Sequence, residues 1–215
     1  MELRPDVRTK LLAVAAEFEQ FTELDLKPVD VVIVGSSASY NWSEEWSDID
    51  LHLIYDIDQS TADGAKTYIL LDTKKNLWNE KYKIVIKRLP VEVYVQLQSE
   101  HNVENGMYSI TNDEWVHKPE QSEITLPDDG AVEVKANSLR NMINAVLKES
   151  PVNSDRLDQV KAKIKRTRQA GLDKAGLFSV ENLAFKILRR DGSIGKLMQA
   201  TTAAKTKNLS LESRY

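Results

Sequence analysis

The chain of 215 residues is 41% hydrophobic and 29% charged, which excludes disorder and collagen-like repetition and allows one full domain with a smaller lobe. It has no cysteine, so disulfides, thiolate zinc sites, iron–sulfur clusters and cysteine nucleophiles are ruled out. Its three histidines (His52, His101, His117) are too scattered for a histidine-rich metal centre, so any metal must be held mainly by oxygen.

The net charge of −4 hides a division. Residues 1–130 carry 12 basic against 25 acidic side chains, whereas residues 131–215 carry 17 against 8. An acidic domain over 1–130 and a basic domain over 131–215 are therefore expected. The basic part either meets an anionic partner or docks on the acidic part, and charge alone favours neither. No apolar run approaches the ~18 residues of a membrane span, and the first residues lack the apolar core of a secretory signal, so a cytoplasmic protein with no membrane partner is expected.

In chain order, Pro5 and the spacing of Leu11, Leu12, Ala15, Phe18 and Phe21 predict an amphipathic helix over 5–22. Val29 to Val34 is apolar and β-branched apart from Asp30, the pattern of a buried strand, and Gly35-Ser36 stops it. After a polar, aromatic loop, Asp48-Ile49-Asp50-Leu51-His52-Leu53 alternates strictly, so a second strand carries Asp48, Asp50 and His52 on one face. Ser60 with Asp63 reads as the cap of a helix over 61–79. A strand over 82–87 is expected to turn through Arg88-Leu89-Pro90 into another over 91–97, with Glu92, Tyr94 and Gln96 on one face. Short strands are expected at 107–110 and 115–116. Residues 119–130 have linker composition. The remainder predicts helices: one striped by Leu139, Met142, Ile143, Val146 and Leu147, a basic one over 154–175, one around Val180–Leu188, and a shorter fourth around Ile194, Leu197 and Met198.

The chemistry concentrates between residues 31 and 51. A buried strand ending in Gly-Ser lets backbone N–H groups and a hydroxyl approach an anion closely. Eleven residues after Ser36 the chain returns as a strand presenting two carboxylates, oxygen ligands of the kind that suit Mg²⁺, which in turn binds substrate phosphates. Glu92 can complete the set, with Glu80, Glu100 and Glu104 as alternatives. Three carboxylates converging without a cation would repel one another.

Gly35-Ser36, Ser47-Asp48-Ile49-Asp50-Leu51 and Glu92 together resemble the signature of the nucleotidyltransferase superfamily that includes DNA polymerase β. Wider stretches, among them Leu77-Trp78-Asn79, Gly106-Met107-Tyr108-Ser109, Arg168-Gln169-Ala170-Gly171-Leu172 and Phe178-Ser179-Val180-Glu181-Asn182, resemble the small predicted nucleotidyltransferases of tailed bacteriophages, which would place the protein in a bacterial host cytoplasm. The resemblance implies an α+β fold, a mixed sheet with flanking helices followed by a C-terminal helical bundle that closes one wall of a cleft. It implies that Asp48, Asp50 and Glu92 are catalytic and bind two Mg²⁺ ions, with Glu92 helping to activate an acceptor hydroxyl. Gly35, Ser36 and Ser47 would contact the phosphates of a nucleoside triphosphate such as ATP. The implied reaction transfers a nucleoside monophosphate to a hydroxyl acceptor and releases pyrophosphate.

The acceptor stays open between RNA, a protein hydroxyl and a small molecule. Lys161, Lys165 and Arg168, with Lys163 and Arg166, are candidates for phosphate or acceptor contact. Trp42 and Trp46 either stack on a ligand or pin their loop, Tyr108-Ser109 are candidate ribose or base contacts, and His52 is read as a residue of packing or of solvent contact. Two other classes remain open: a non-catalytic nucleotide sensor or partner-binding protein of the same fold, and a nucleic-acid-binding module with an incidental acidic face.

Overall fold

Pro5 occupies the first helical position, where its missing N–H is not needed, and opens α1 (Pro5–Thr22). Leu11, Val14, Ala15 and Phe18 form its buried stripe, and Glu23 ends it in a left-handed conformation. The apolar β-branched run becomes β1 (Asp30–Val34), and the alternating segment becomes β2 (Ile49–Tyr55). Then come α2 (Ala62–Lys81), β3 (Val85–Ile86), β4 (Leu89–Leu97), β5 (Met107–Ser109) and β6 (Glu114–His117). The helices α3 (Asp129–Leu147), α4 (Ser154–Ala175), α5 (Val180–Arg190) and α6 (Ser193–Leu209) complete the chain. The computed structural model describes residues 3–40, 42, 47–100, 106–121, 127–150 and 153–211. Two units divide the chain, Met1–Glu123 and Ile124–Tyr215, so α3, from Asp129 onward, lies wholly in the second.

The first unit is a six-stranded sheet in the order β3-β4-β2-β1-β5-β6. Its pairs are antiparallel except β2 with β4, which run parallel. A parallel pair needs a long crossover, and α2 supplies it. One face of the sheet, with Val31, Ile33, Leu51, Leu53, Val93 and Val95, packs under Leu11, Val14 and Phe18 of α1 and Leu71 and Trp78 of α2. Burying a Leu or Val in this layer contributes about 1.5–3 kcal/mol each. Beyond Val91 the outer edge of β4 is closed by a side chain: the Asn79 amide donates to the Val93 carbonyl (2.7 Å) and accepts from its N–H (3.0 Å). That clamp ties the crossover helix to the strand carrying Glu92. The fold class is thus the expected one, α+β with a mixed sheet and flanking helices, followed by helices.

The second unit packs its four helices around Leu139, Ile143 and Val146 of α3, Leu157, Val160 and Ile164 of α4, Leu188 of α5 and Leu197 of α6. Asp128, Asn153 and Ser179 cap α3, α4 and α5 through their side chains, satisfying N–H groups that have no intrahelical partner. A Cβ on Gly171 would lie 2.6 Å from Glu181 Cβ and 2.8 Å from Ser179 Oγ, so α4 and α5 approach at a point that only glycine permits. Beside it, Arg168 Nε donates to Asn182 Oδ1 (2.9 Å), its guanidinium lies 4.4 Å over the Phe185 ring, and Asn182 Nδ2 donates to the Leu177 carbonyl (2.7 Å). The 168–172 and 178–182 motifs are therefore the two halves of one interhelical lock.

Several local expectations are corrected. The cap of α2 is Thr61, which accepts from the Gly64 N–H, because Asp58 already holds both the N–H and the hydroxyl of Ser60. The strand expected over 82–87 shrinks to Val85–Ile86, since Tyr82 ends α2 and its ring stacks on Trp78 at 4.4 Å. The turn into β4 is Lys87-Arg88, both at positive φ (49° and 70°), and Leu89 and Pro90 belong to β4. Two-residue hairpin turns often need such angles to match strand twist, and neither Lys nor Arg signals them in a sequence. Finally, α6 is not the short helix expected but runs 17 residues, because Ala200, Ala203 and Ala204 continue it with excellent helix propensity and side chains too small to register as a stripe. Among the described residues no helix is long and apolar enough to cross a membrane.

Candidate active site

The acidic site follows from strand register. In the parallel β2–β4 pair Asp50 lies directly opposite Glu92, so both side chains emerge from the same face of neighbouring strands, roughly 5 Å apart at the backbone. Asp48 stands two residues before Asp50 and shares that face. The result is that Asp48, Asp50 and Glu92 each bring a carboxylate oxygen within 4.8 Å of the others. Asp48 is buried and the other two are half-buried. At that separation, two ionised carboxylates repel by about 3 kcal/mol at an effective dielectric near 20. A divalent cation removes that penalty, and an all-oxygen donor set suits a hard ion such as Mg²⁺.

The Gly35–Ala38 turn lies against these acids because β1 pairs antiparallel with β2 and sets Val34, the residue before the turn, opposite Asp50. Gly35 has φ +70°, and a Cβ there would sit 2.5 Å from Asp50 Oδ2. Glycine is required twice over, by its backbone angle and by its contact with a carboxylate. Next to it the Ser36 hydroxyl is buried with no hydrogen-bond partner among the described residues, a state that normally costs about 1–3 kcal/mol and marks an atom suited to a further acceptor such as a phosphate oxygen. By contrast, Ser37 donates to the Val34 carbonyl (3.2 Å) and Ser39 to the Ser36 carbonyl (3.0 Å). Ser47 is buried immediately before Asp48. The donor set and this cradle fit a metal with bound phosphate.

The same polar face continues away from the acids. Tyr94 Oη donates to Glu92 Oε2 at 2.8 Å. The His52 ring lies 4.9 Å from that of Tyr94, and His52 Nδ1 is hydrogen-bonded to Gln96 Oε1 at 2.7 Å. Burial pushes the His52 imidazole below its ordinary range, against the opposing pull of Gln96 and Glu100. His52 is thus a packed side chain, as its place on the strand suggested. Tyr94 was missed as a site residue, although alternation already placed it on the acid face two positions from Glu92.

Of the alternative third acids, Glu80 and Glu100 are exposed, and Glu100 accepts from the Leu97 N–H; neither joins the cluster. Glu104, His101 and Trp46 lie outside the described residues. Trp42 is half-exposed and lines a cavity of about 290 Å³ with Tyr108, Trp115 and Ile49. Tyr108 donates to Asp113 (2.7 Å) and Ser109 to Asp30 (2.8 Å), so these two side chains hold the β5 region together. In the helical unit Lys161, Lys163, Lys165 and Arg166 are exposed, and none makes an ion pair among the described residues. Arg168 differs, being half-buried against Asn182 and Phe185.

No family model and no curated protein matches the chain. Among solved structures, a STING-associated CdnE c-di-GMP synthase from Capnocytophaga granulosa is 15% identical, with 96% of this chain and 83% of that one covered and a TM-score of 0.26. A CdnE c-UMP-AMP synthase from Rhodothermus marinus, solved with Apcpp and Upnpp, is 11% identical, with 96% and 94% covered and a TM-score of 0.22. Likeness at this level carries no weight for function.

Proposed function

We propose that the chain is a metal-dependent nucleotidyltransferase that transfers a nucleoside monophosphate from a nucleoside triphosphate to a hydroxyl acceptor. The observation that carries this reading is the convergence of Asp48, Asp50 and Glu92 within 4.8 Å, against a glycine turn that touches Asp50 and holds the Ser36 hydroxyl without a partner among the described residues. Asp48, Asp50 and Glu92 would hold magnesium, two ions by resemblance to the superfamily. Bound there, magnesium lowers the pKa of the acceptor hydroxyl and neutralises charge on the leaving pyrophosphate.

The chain's own groups do the rest. Gly35 and Ser36 cradle the β,γ-phosphates through backbone N–H and hydroxyl, and Ser47 adds a hydrogen bond next to the first acid. These contacts align the α-phosphate for in-line attack. The acceptor oxygen bonds to the α-phosphorus, the bond to the bridging oxygen breaks, and pyrophosphate leaves with its electrons. Glu92 would help to activate the hydroxyl by taking its proton. Lys161 and Lys165, exposed on α4, are the side chains proposed to meet a polyanionic acceptor such as RNA.

The test incubates the purified protein, Mg²⁺ and a cell lysate with each α-labelled nucleoside triphosphate in turn. Label is expected on one acceptor class, RNA, protein or small metabolite, and is expected to vanish when Asp48 and Asp50 are both changed to Ala. Transfer that persists in that double variant, or no transfer from any triphosphate, overturns the proposal.

A further inference from the structure

Glu92 differs from its two partners in one respect. Asp48 and Asp50 carry short side chains, whereas Glu92 has an additional rotatable bond and projects from mid-strand. Ordering such a side chain on metal binding costs rotamer entropy unless something holds it beforehand. The structure supplies that restraint in the 2.8 Å hydrogen bond from Tyr94 Oη to Glu92 Oε2.

Tyr94 is itself braced. Register sets it opposite His52 on β2, the two rings lie 4.9 Å apart, and His52 is tied by the 2.7 Å bond to Gln96, which is buried. A chain of contacts, Gln96 to His52 to Tyr94 to Glu92, therefore runs along the polar face and ends on the carboxylate. The chemistry of the donor matters. A Lys or Arg at position 94 would hold Glu92 equally well but would neutralise it and compete with a cation. A phenol restrains the carboxylate and leaves its charge available.

We propose that Tyr94 is a positioning residue for the third metal ligand: its hydroxyl fixes the Glu92 carboxylate toward Asp48 and Asp50 before the cation arrives. This rests on the metal-binding reading of the site, and its test keeps the two apart. Mn²⁺, a hard ion with an electron paramagnetic resonance signal, is titrated into the full chain as wild type, Tyr94→Phe, Glu92→Gln and the double variant, with the metal-free melting temperature recorded for each. Tyr94→Phe removes one oxygen and keeps the ring on His52.

The expected result is a loss of Mn²⁺ affinity of about tenfold in Tyr94→Phe, the lower end of what removing such a supporting contact does. An altered spectrum of the bound ion and an unchanged metal-free melting temperature should accompany it. Glu92→Gln should weaken binding further, and adding Tyr94→Phe to it should change nothing more. Wild-type affinity in Tyr94→Phe alongside weakened Glu92→Gln overturns the positioning role and leaves the metal site standing. An additive loss in the double variant overturns it too, because Tyr94 would then act independently of Glu92. A fall in melting temperature that accounts for the lost affinity assigns the hydroxyl to stability and likewise overturns it. Wild-type protein that binds no Mn²⁺ overturns both readings, since no ligand would be left to position.

Discussion

Both units place polar groups where solvent is scarce, and they do so in opposite ways. In the sheet unit three carboxylates of like charge converge, near a serine hydroxyl with no partner among the described residues. In the helical unit the completely buried Asn182 is matched on every side: to Arg168, to the Leu177 carbonyl and, through its N–H, to Ser179 Oγ. A matched network contributes to stability and makes one helix packing specific. A cluster of like charges detracts from stability unless a cation offsets the repulsion, a common feature of functional sites. The comparison predicts that substitutions in the first cluster cost activity and those in the second cost stability.

The largest effect should come from the acids. Asp48→Ala or Asp50→Ala is expected to reduce nucleotidyl transfer by about a thousandfold or more, the equivalent of several kcal/mol of transition-state stabilisation. Without metal the melting temperature should hold or rise, because repulsion has been relieved. Labelled-triphosphate turnover beside calorimetry reads both, and a clear drop in melting temperature would break the contrast. Asn182→Ala should behave in the reverse sense. It leaves the Leu177 carbonyl and the half-buried Arg168 without that partner and should destabilise the chain by about 2–3 kcal/mol in chemical denaturation, with Mn²⁺ affinity unchanged.

A pair of identical substitutions sharpens the contrast. Gly171→Ala forces a methyl against Glu181 and Ser179 and should cost about 1–3 kcal/mol of stability by separating α4 from α5. Gly35→Ala pushes a methyl onto Asp50 and strains a backbone at φ +70°, so a comparable 1–2 kcal/mol should be accompanied by weakened Mn²⁺ binding, which Gly171→Ala should leave intact. A smaller effect is expected at Asp191. Burial raises its carboxyl, but hydrogen bonds from Ser193 and Arg140 outweigh it and hold the group below its ordinary 3.8. The unfolded chain then takes up this proton first, so the contribution is complete above about pH 5 and is lost as pH falls through the lowered folded value. The stability gap between wild type and Asp191→Asn, about 1 kcal/mol at neutral pH, should close in acid.

The smallest effect on stability belongs to the exposed cations. Changing Lys161, Lys163 and Lys165 together to Gln should shift stability by less than about 0.5 kcal/mol, since none is ion-paired among the described residues. If α4 meets RNA, the logarithmic salt slope of RNA binding should flatten by about 2 in the same variant, and an unchanged slope would remove RNA from the acceptors this helix serves.

Much of the candidate site was legible because it is local. Gly35-Ser36 ends an apolar β-branched run, and Asp48 and Asp50 alternate with Ile49 and Leu51, so the face they share follows from strand geometry alone. Glu92 could be placed on a polar strand face, but its choice over Glu80, Glu100 and Glu104 drew on a resemblance. What decides among the described candidates is the pairing of Asp50 with Glu92, between strands joined only through α2 and a hairpin. The cap at Thr61 and the turn at Lys87-Arg88 were misread because Ser60 and Pro90 carry stronger local signals than the residues that do the work.

Composition and alternation by themselves determined that any bound metal would be held mainly by oxygen, that the chain joins an acidic part to a basic part, and which strand face carries the acids. These are properties of residue type and of a two-residue period, and neither needs a partner strand to be read. Tertiary structure alone decided that Glu92 comes within 4.8 Å of Asp48 and Asp50, that Gly35 rests against Asp50, that Tyr94 holds Glu92, and that Arg168 is bound to Asn182 while its basic neighbours stay exposed. Each of those depends on which strand or helix packs beside which. That choice is made by the burial of the whole apolar face, over separations that no local pattern records.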